Sequence, residues 1–286
     1  MVPRICVVTD STADIPKEVA EQWDIHVVPL HVHIDHETFL DGVTITPLEF
    51  FEKLVKANNF PTTSQPSPTH FEKKYRELAG VYGEDVQILS IHLSSALSGT
   101  YQSANLARSF LDGKIDVSVI DSKKAAFFLG QIVVEAAKAA KSGKSKEDCL
   151  ALIKRMIDGQ RDLFMIDDLT YLQKGGRIGK AQALLGNLLS VKPILSLNEE
   201  GEVYPLDKVR GKKKAISKML EYFHEYAGDE EVLCSVLYGK NHDEAKELAE
   251  KISGQFNVNE IHLVVLGPVI GAHAGPQAIA VSMMKK

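Results

Sequence analysis

Short β-branched runs alternate with segments of helical period along the first half of the chain, and no other feature narrows the fold as far. "RICVVTD" reads as a strand, "IPKEVAEQW" as a helix, and "IHVVPLHVHID" with "HETFLDG" as extended chain turning back on itself. "TPLEFFEKLVKA" opens with a Thr-Pro helix start, and the proline-rich "NNFPTTSQPSP" then breaks the chain before the next helix. That helix, "THFEKKYRELAGVYG", is followed by strand "VQILSIHL", helix "SGTYQSANLARSFL" and strand "IDVSVIDS". Two more helices, "KKAAFFLGQIVVEAAKAAKSG" and "SKEDCLALIKRMIDG", complete the series. The pattern predicts an N-terminal α/β domain with a parallel sheet over residues 1–160.

Past Gln160 the texture changes. "SVKPILSLN" and "EVYPLDKV", on either side of Glu199-Glu200-Gly201, predict a hairpin. Helix "KKKAISKMLEYFHEYAG", strand "EVLCSVLYG", helix "NHDEAKELAEKIS" and strand "EIHLVVLG" predict a C-terminal mixed α+β domain over 161–286. A length of 286 residues with 44% hydrophobic and 25% charged residues suits two such domains. The net charge of -5 argues against nucleic acid or anionic lipid as a whole-surface partner. Cys6, Cys149 and Cys234 are odd in number and far apart, which fits a reducing compartment, and the apolar runs around Cys6 and Cys234 predict inert core thiols. The N-terminus enters a strand with no signal-like segment, and no stretch approaches the roughly 18 apolar residues of a membrane span. A cytoplasmic protein without stable membrane insertion is the expectation.

Polar residues gather where parallel strands end, which is where such sheets bind ligands. The first strand finishes in "TDSTAD", the middle one in "SSALSGT" and the next in Asp121-Ser122. Helix capping alone puts Asp, Ser and Thr at single strand ends, but their coincidence at three favours a site. No serine has the glycines of a nucleophile elbow on both sides, and Gly143-Lys144-Ser145 lacks the first glycine of a phosphate loop. No Gly-x-Gly-x-x-Gly occurs, so no cofactor is implied. What remains is a cradle of neutral donors at a helix start, suited to an anion that is bound without being attacked.

"VVTDSTADIP", "TTSQPSP", "LSSALSGTYQSA", "YLQKGGRIG", "VRGKKKAI" and "GPVIGAHAGP", in that order, resemble the DegV family of bacterial fatty-acid-binding proteins over nearly the whole chain. The resemblance implies a two-domain α/β protein holding a long-chain fatty acid such as palmitate, its acyl chain in an apolar tunnel and its carboxylate near the surface. It also implies a non-enzymatic carrier that presents the fatty acid to a separate fatty acid kinase subunit, which makes the acyl phosphate for phospholipid metabolism. Carried over residue by residue, the carboxylate-binding threonine falls on Thr63, the serine on Ser95 and the histidine on His273. Thr62 and Ser94 are their register alternatives. Arg177 matches a family arginine at the carboxylate end, and Arg177 and Arg210 match arginines associated with contact to the kinase. Family members more often carry Thr and Gly where this chain has Ala274 and Gln277, so the headgroup surroundings differ in detail.

The residues themselves point the same way. Gly267, Gly271 and Gly275 around His273 allow close backbone approach. "AAFFLGQIVVEAAKAA" is apolar nearly all round, as in a helix buried on both sides or lining a lipid tunnel. His31, His33 and His36 share the spacing of metal ligands but have no obvious shell, and Asp10 and Asp121 read as structural, so no metal is expected. The basic cluster Lys208, Arg210, Lys212, Lys213 and Lys214 suits an acidic partner or a solvated face. Two rival functions remain: a small-molecule phosphotransferase related to dihydroxyacetone kinases, and a hydrolase using Ser95 with His273.

Overall fold

The computed structural model describes residues 3–185 and 191–286. The chain opens with β1 (Ile5–Asp10), α1 (Lys17–Trp23), β2 (Ile25–Val28), β3 (His31–Ile34), β4 (Glu37–Leu40), α2 (Pro47–Lys56) and β5 (Thr62–Ser64). It continues through α3 (Pro68–Tyr82), β6 (Gln87–His92), α4 (Thr100–Ser109), β7 (Asp116–Asp121), α5 (Ala126–Lys141) and α6 (Lys146–Gly159). Then come β8 (Arg161–Met165), α7 (Thr170–Gly175), β9 (Val191–Leu197), β10 (Val203–Arg210), α8 (Lys212–Ala227), β11 (Val232–Tyr238), α9 (His242–Gln255), β12 (Val258–Val265), α10 (Pro268–Ala274) and β13 (Ile279–Lys285).

The predicted fold class holds. An N-terminal domain carries a four-stranded sheet, ordered β2-β1-β6-β7, whose pairings are all parallel. A C-terminal domain carries a six-stranded mixed sheet, ordered β10-β9-β8-β13-β11-β12, in which only β11 and β12 run parallel. A third sheet, β4-β3-β5, is antiparallel. The hairpin is present between β9 and β10, with Asn198 donating to Glu202 and Gly201 at φ +81°. Ser190, read as the first residue of that strand, lies outside the described residues.

Several elements have no counterpart in the sequence reading. β5 forms inside the proline-broken stretch, where Pro61 precedes it and Pro66 follows it. A strand so short is stabilised by pairing with β3, which sets Val32 opposite Thr63. β8 and β13 were unforeseen as well. All of β13 but its last residue is buried, so its sequence "IAVSMMK" lacks the alternation that marks a half-exposed strand.

Helix α5 connects the domains. Leu129, Ile132 and Val133 pack with Val7 and Leu89 of the parallel sheet, while Phe127 and Phe128 face a cluster containing Leu237, Leu266 and Ala280 of the C-terminal domain. Its apolar circumference therefore reflects burial between two sheets, and its first turn reaches the cavity described next.

Candidate functional site

A cavity of about 380 Å³ lies between the domains. Its wall is mostly hydrocarbon: Leu30 and Phe128 on one side, Phe164, Leu237, Leu266 and Ala280 on the other. Its polar lining consists of Thr63, Ser64, Gln65, Ser98, Arg177 and His273. Contacts tie this group together. Thr63 Oγ1 lies 2.8 Å from His273 Nε2, Arg177 Nε donates to the Leu97 carbonyl at 3.1 Å beside Ser98, and Gln65 Nε2 donates to Ser103 Oγ at 3.2 Å in the first turn of α4.

Each polar side chain owes its position to local structure. Pairing of β5 with β3 holds Thr63 half-buried at the cavity and leaves Thr62 exposed outside its lining. His273 sits in the last turn of α10, which approaches α2 so closely that a Cβ on Gly271 would stand 2.8 Å from Phe50 and 2.9 Å from Phe51. A Cβ on Gly175 would strike His273 Nδ1, so the end of α7 packs directly on the imidazole.

That packing fixes the tautomer. His273 Nδ1 is buried and has no hydrogen-bond partner. A proton there would be a buried donor without an acceptor, so the proton belongs on Nε2 and points at Thr63 Oγ1. Thr63 then accepts from His273 and keeps its own O–H for a ligand. Burial, with help from the nearby Arg177 charge, pushes the His273 pKa down to about 4, so the imidazole is neutral around pH 7.

The other sequence candidates lie at varied distances from this cluster. Ser94 is buried outside the cavity lining, donates to the Gly201 carbonyl at 2.9 Å and accepts from the Ala96 amide. Ser95 is half-buried on the same loop, outside the cavity lining, with its amide held by Asp121 Oδ1 at 3.2 Å. Arg210 is exposed at the end of β10, outside the lining. The sequence reading missed Ser64, Gln65 and Ser98. Their signal was their place in the motifs already singled out, since each sits within three residues of a residue chosen there.

The rival chemistries can be set against the geometry. His273 pairs with Thr63, and no contact joins it to Ser95 among the described residues. An Asp-His-Ser sequence of contacts does occur elsewhere: Asp10 Oδ2 lies 2.9 Å from His92 Nδ1, and Ser90 Oγ 2.7 Å from His92 Nε2. All three side chains are fully buried, and Tyr75 closes the row at 2.8 Å from Ser90, so no substrate carbonyl can approach. His33 is held between Thr38 and Ser64, and no group of three or more His, Cys, Asp or Glu side chains converges to hold a metal among the described residues. No described helix is long and apolar enough to cross a membrane. What the cavity can do is solvate a hydrocarbon chain along its length and offer neutral donors and one arginine at its polar end.

Comparison with known proteins agrees with this chemistry. A family model described as "Uncharacterised protein, DegV family" matches residues 4–286. Protein DegV of Bacillus subtilis is 39% identical over 280 residues, covering 97% of this chain and 98% of its own. Among solved structures, a fatty-acid-binding DegV family protein from Thermus thermophilus superposes with a TM-score of 0.92 at 37% identity, covering 99% of this chain and 100% of that one. A stearic-acid-binding protein from Eubacterium ventriosum superposes with a TM-score of 0.89 at 27% identity, covering 100% and 99%.

Proposed function

Because the chain belongs to the DegV family, we propose that it binds a long-chain fatty acid, with the acyl chain in the interdomain cavity and the carboxylate at the Thr63–His273 end. One observation carries this reading: an apolar cavity of about 380 Å³ ends in a cluster of uncharged donors in which Thr63 has a proton to give. Burying each methylene contributes about 0.8 kcal/mol, so the hydrocarbon supplies most of the affinity and the hydroxyls set the direction. Ser98, which lines the cavity, supplies a further hydroxyl from the loop before α4, and the family resemblance assigns a carboxylate contact to Ser95 on the same loop. Arg177 adds positive charge at the same end.

In acyl phosphate formation the carboxylate is itself the nucleophile, and neither a phosphate-loop nor a dinucleotide motif marks a phosphoryl-donor site in the sequence, so we assign activation to another protein. A fatty acid kinase subunit is the partner, and exposed Arg210 with Lys208, Lys213 and Lys214 offers the basic surface for it, Arg177 marking the ligand end. The same reading takes the protein as a cytoplasmic, non-enzymatic carrier, with the domains meeting at Gln160.

Mass spectrometry of lipid released from the purified protein tests the proposal. A long-chain fatty acid recovered at near one per chain is the expected result. Recovery of no acyl chain, together with no uptake of added palmitate, would refute it.

A further inference from the structure

Two carboxyl groups crowd the start of the helix that carries His273. Asp14, in a left-handed turn at φ +48° after β1, and Asp41, just past β4, both reach Gly267, the residue before α10. A Cβ on Gly267 would strike Asp14 Oδ1 and come within 3.5 Å of Asp41 Oδ1. Both Asp14 oxygens are buried without a hydrogen-bond partner. Asp41 Oδ2 accepts from Ser11 Oγ at 2.7 Å, and Ser11 Oγ in turn accepts from the Leu30 amide at 3.0 Å.

The groups facing this pair do little to hold two negative charges. The Gly267 amide, close to Asp14 but not aligned for a hydrogen bond, weakly favours its charged form, and Ser11 with the Val269 amide favours that of Asp41. Against them stand the negative charge of Asp41, which acts on Asp14, and that of Asp10, which acts on both and is already bound to His92 and the Leu93 amide. The charged groups facing the pair are thus all acidic among the described residues, and His273 and Arg177 stand at the other end of α10. Burial raises Asp14 well above the usual carboxylate range and pushes Asp41 up to about 7. Helix α10 supplies Val269, Ile270, His273 and Ala274 to the cavity wall, so its seating governs the ligand end.

We infer that Asp14 and Asp41 form an acid latch: with their protons in place they seat the first turn of α10, and ionisation of the pair loosens that helix and the grip on the ligand. Both are positioning residues, acting through α10 on His273. The sign follows from linkage. A carboxyl whose pKa is raised in the seated state takes up a proton on seating, so the latch is firm below the ordinary carboxylate range and weakens as pH rises toward the raised value. For Asp41 the weakening accumulates between about pH 4 and 7, at no more than tenfold per pH unit, and then levels off. Asp14 extends it to higher pH. Asn at position 41 mimics the uncharged acid, since its amide oxygen can accept from Ser11 as the carboxyl oxygen does and it cannot ionise.

This latch rests on the fatty-acid reading only for its effect on ligand. Amide hydrogen exchange of α10 in the wild-type protein and Asp41→Asn, followed from pH 5 to 9 after correction for intrinsic exchange, tests seating without any ligand, and titration with a fluorescent fatty acid tests the grip. The expected result is progressive loss of α10 protection in the wild type and a flatter profile in Asp41→Asn, with several-fold tighter fatty-acid binding than wild type at pH 8. Parallel profiles for the two proteins overturn the latch, whereas absence of fatty-acid binding with the exchange difference intact overturns the proposed ligand instead. Should Asp41→Asn not fold, carbon-13 titration of the wild-type aspartate carboxyls decides: Asp14 and Asp41 values in the ordinary range near 4 overturn the latch, and raised values support it.

Discussion

At Thr63 the direction of one proton decides whether the hydroxyl serves the ligand. With His273 Nε2–H donating to it, Thr63 is an acceptor toward the protein and a donor toward the cavity, and in the proposed complex its hydrogen bond to the carboxylate would be charge-assisted. Such a bond contributes about 1.5 to 3 kcal/mol, so Thr63→Val is expected to weaken palmitate binding by about ten- to a hundredfold. Ser95→Ala and Ser98→Ala should each cost less, because neither hydroxyl is backed by the imidazole. Isothermal titration with the three variants checks the ranking, and an unchanged affinity for Thr63→Val would remove Thr63 from the site. Thr63 and His273 were both legible, one in "TTSQPSP" and the other among closely spaced glycines. What the sequence could not give is their hydrogen bond across 210 positions, since that contact depends on β5 pairing with β3 and on α10 packing against α2. The carboxyls of Asp14 and Asp41 were hidden for the same reason: their unusual chemistry comes from burial beside Gly267, not from their neighbours in the chain.

Among the elements, α5 shows how far composition alone can carry a structural reading. "AFFLGQIVVEAAKAA" announces a buried helix, but not the two sheets that bury it. Strands β5, β8 and β13 were illegible for different reasons. β5 is brief and set among prolines, whereas β8 and β13 pair with strands far away in sequence, Ala280 of β13 standing opposite Phe164 of β8 and Leu237 of β11, over separations no local pattern records. Gly130 is the informative position within α5. In an exposed helix Gly→Ala contributes about 1 kcal/mol of stability, but here a Cβ would meet the Ala13 carbonyl and stand 2.6 Å from the Phe127 ring. Overpacking of that kind costs about 1 to 3 kcal/mol, so Gly130→Ala should lower the urea midpoint in spite of its better helix propensity. A raised midpoint would mean that the turn after β1 yields easily to α5.

At the scale of the whole molecule the cavity exists only while the domains stay docked, because Thr63 and Phe128 come from one and Phe164, Arg177 and His273 from the other. The docking is polar as well as apolar. Lys124 Nζ donates to Asp162 Oδ2 at 2.6 Å and to the Gln160 carbonyl at 3.2 Å, while Gln160 Nε2 and Ser282 Oγ donate to Asp162 Oδ1. The Lys124 and Asp162 side chains are nearly inaccessible to solvent, so the pair is worth less as attraction than it would cost to break. Lys124→Met would leave the Asp162 carboxylate buried without its cation, at a cost of about 3 to 5 kcal/mol. The expected signature is a lower unfolding midpoint together with faster release of bound fatty acid, since the domains part across the cavity. Adding Asp162→Asn removes the stranded charge and keeps an acceptor for Gln160 and Ser282, so the double variant should recover most of the loss. If the double variant is as unstable as Lys124→Met alone, the damage comes from lost packing around residue 124, and the ion pair does not hold the domains together.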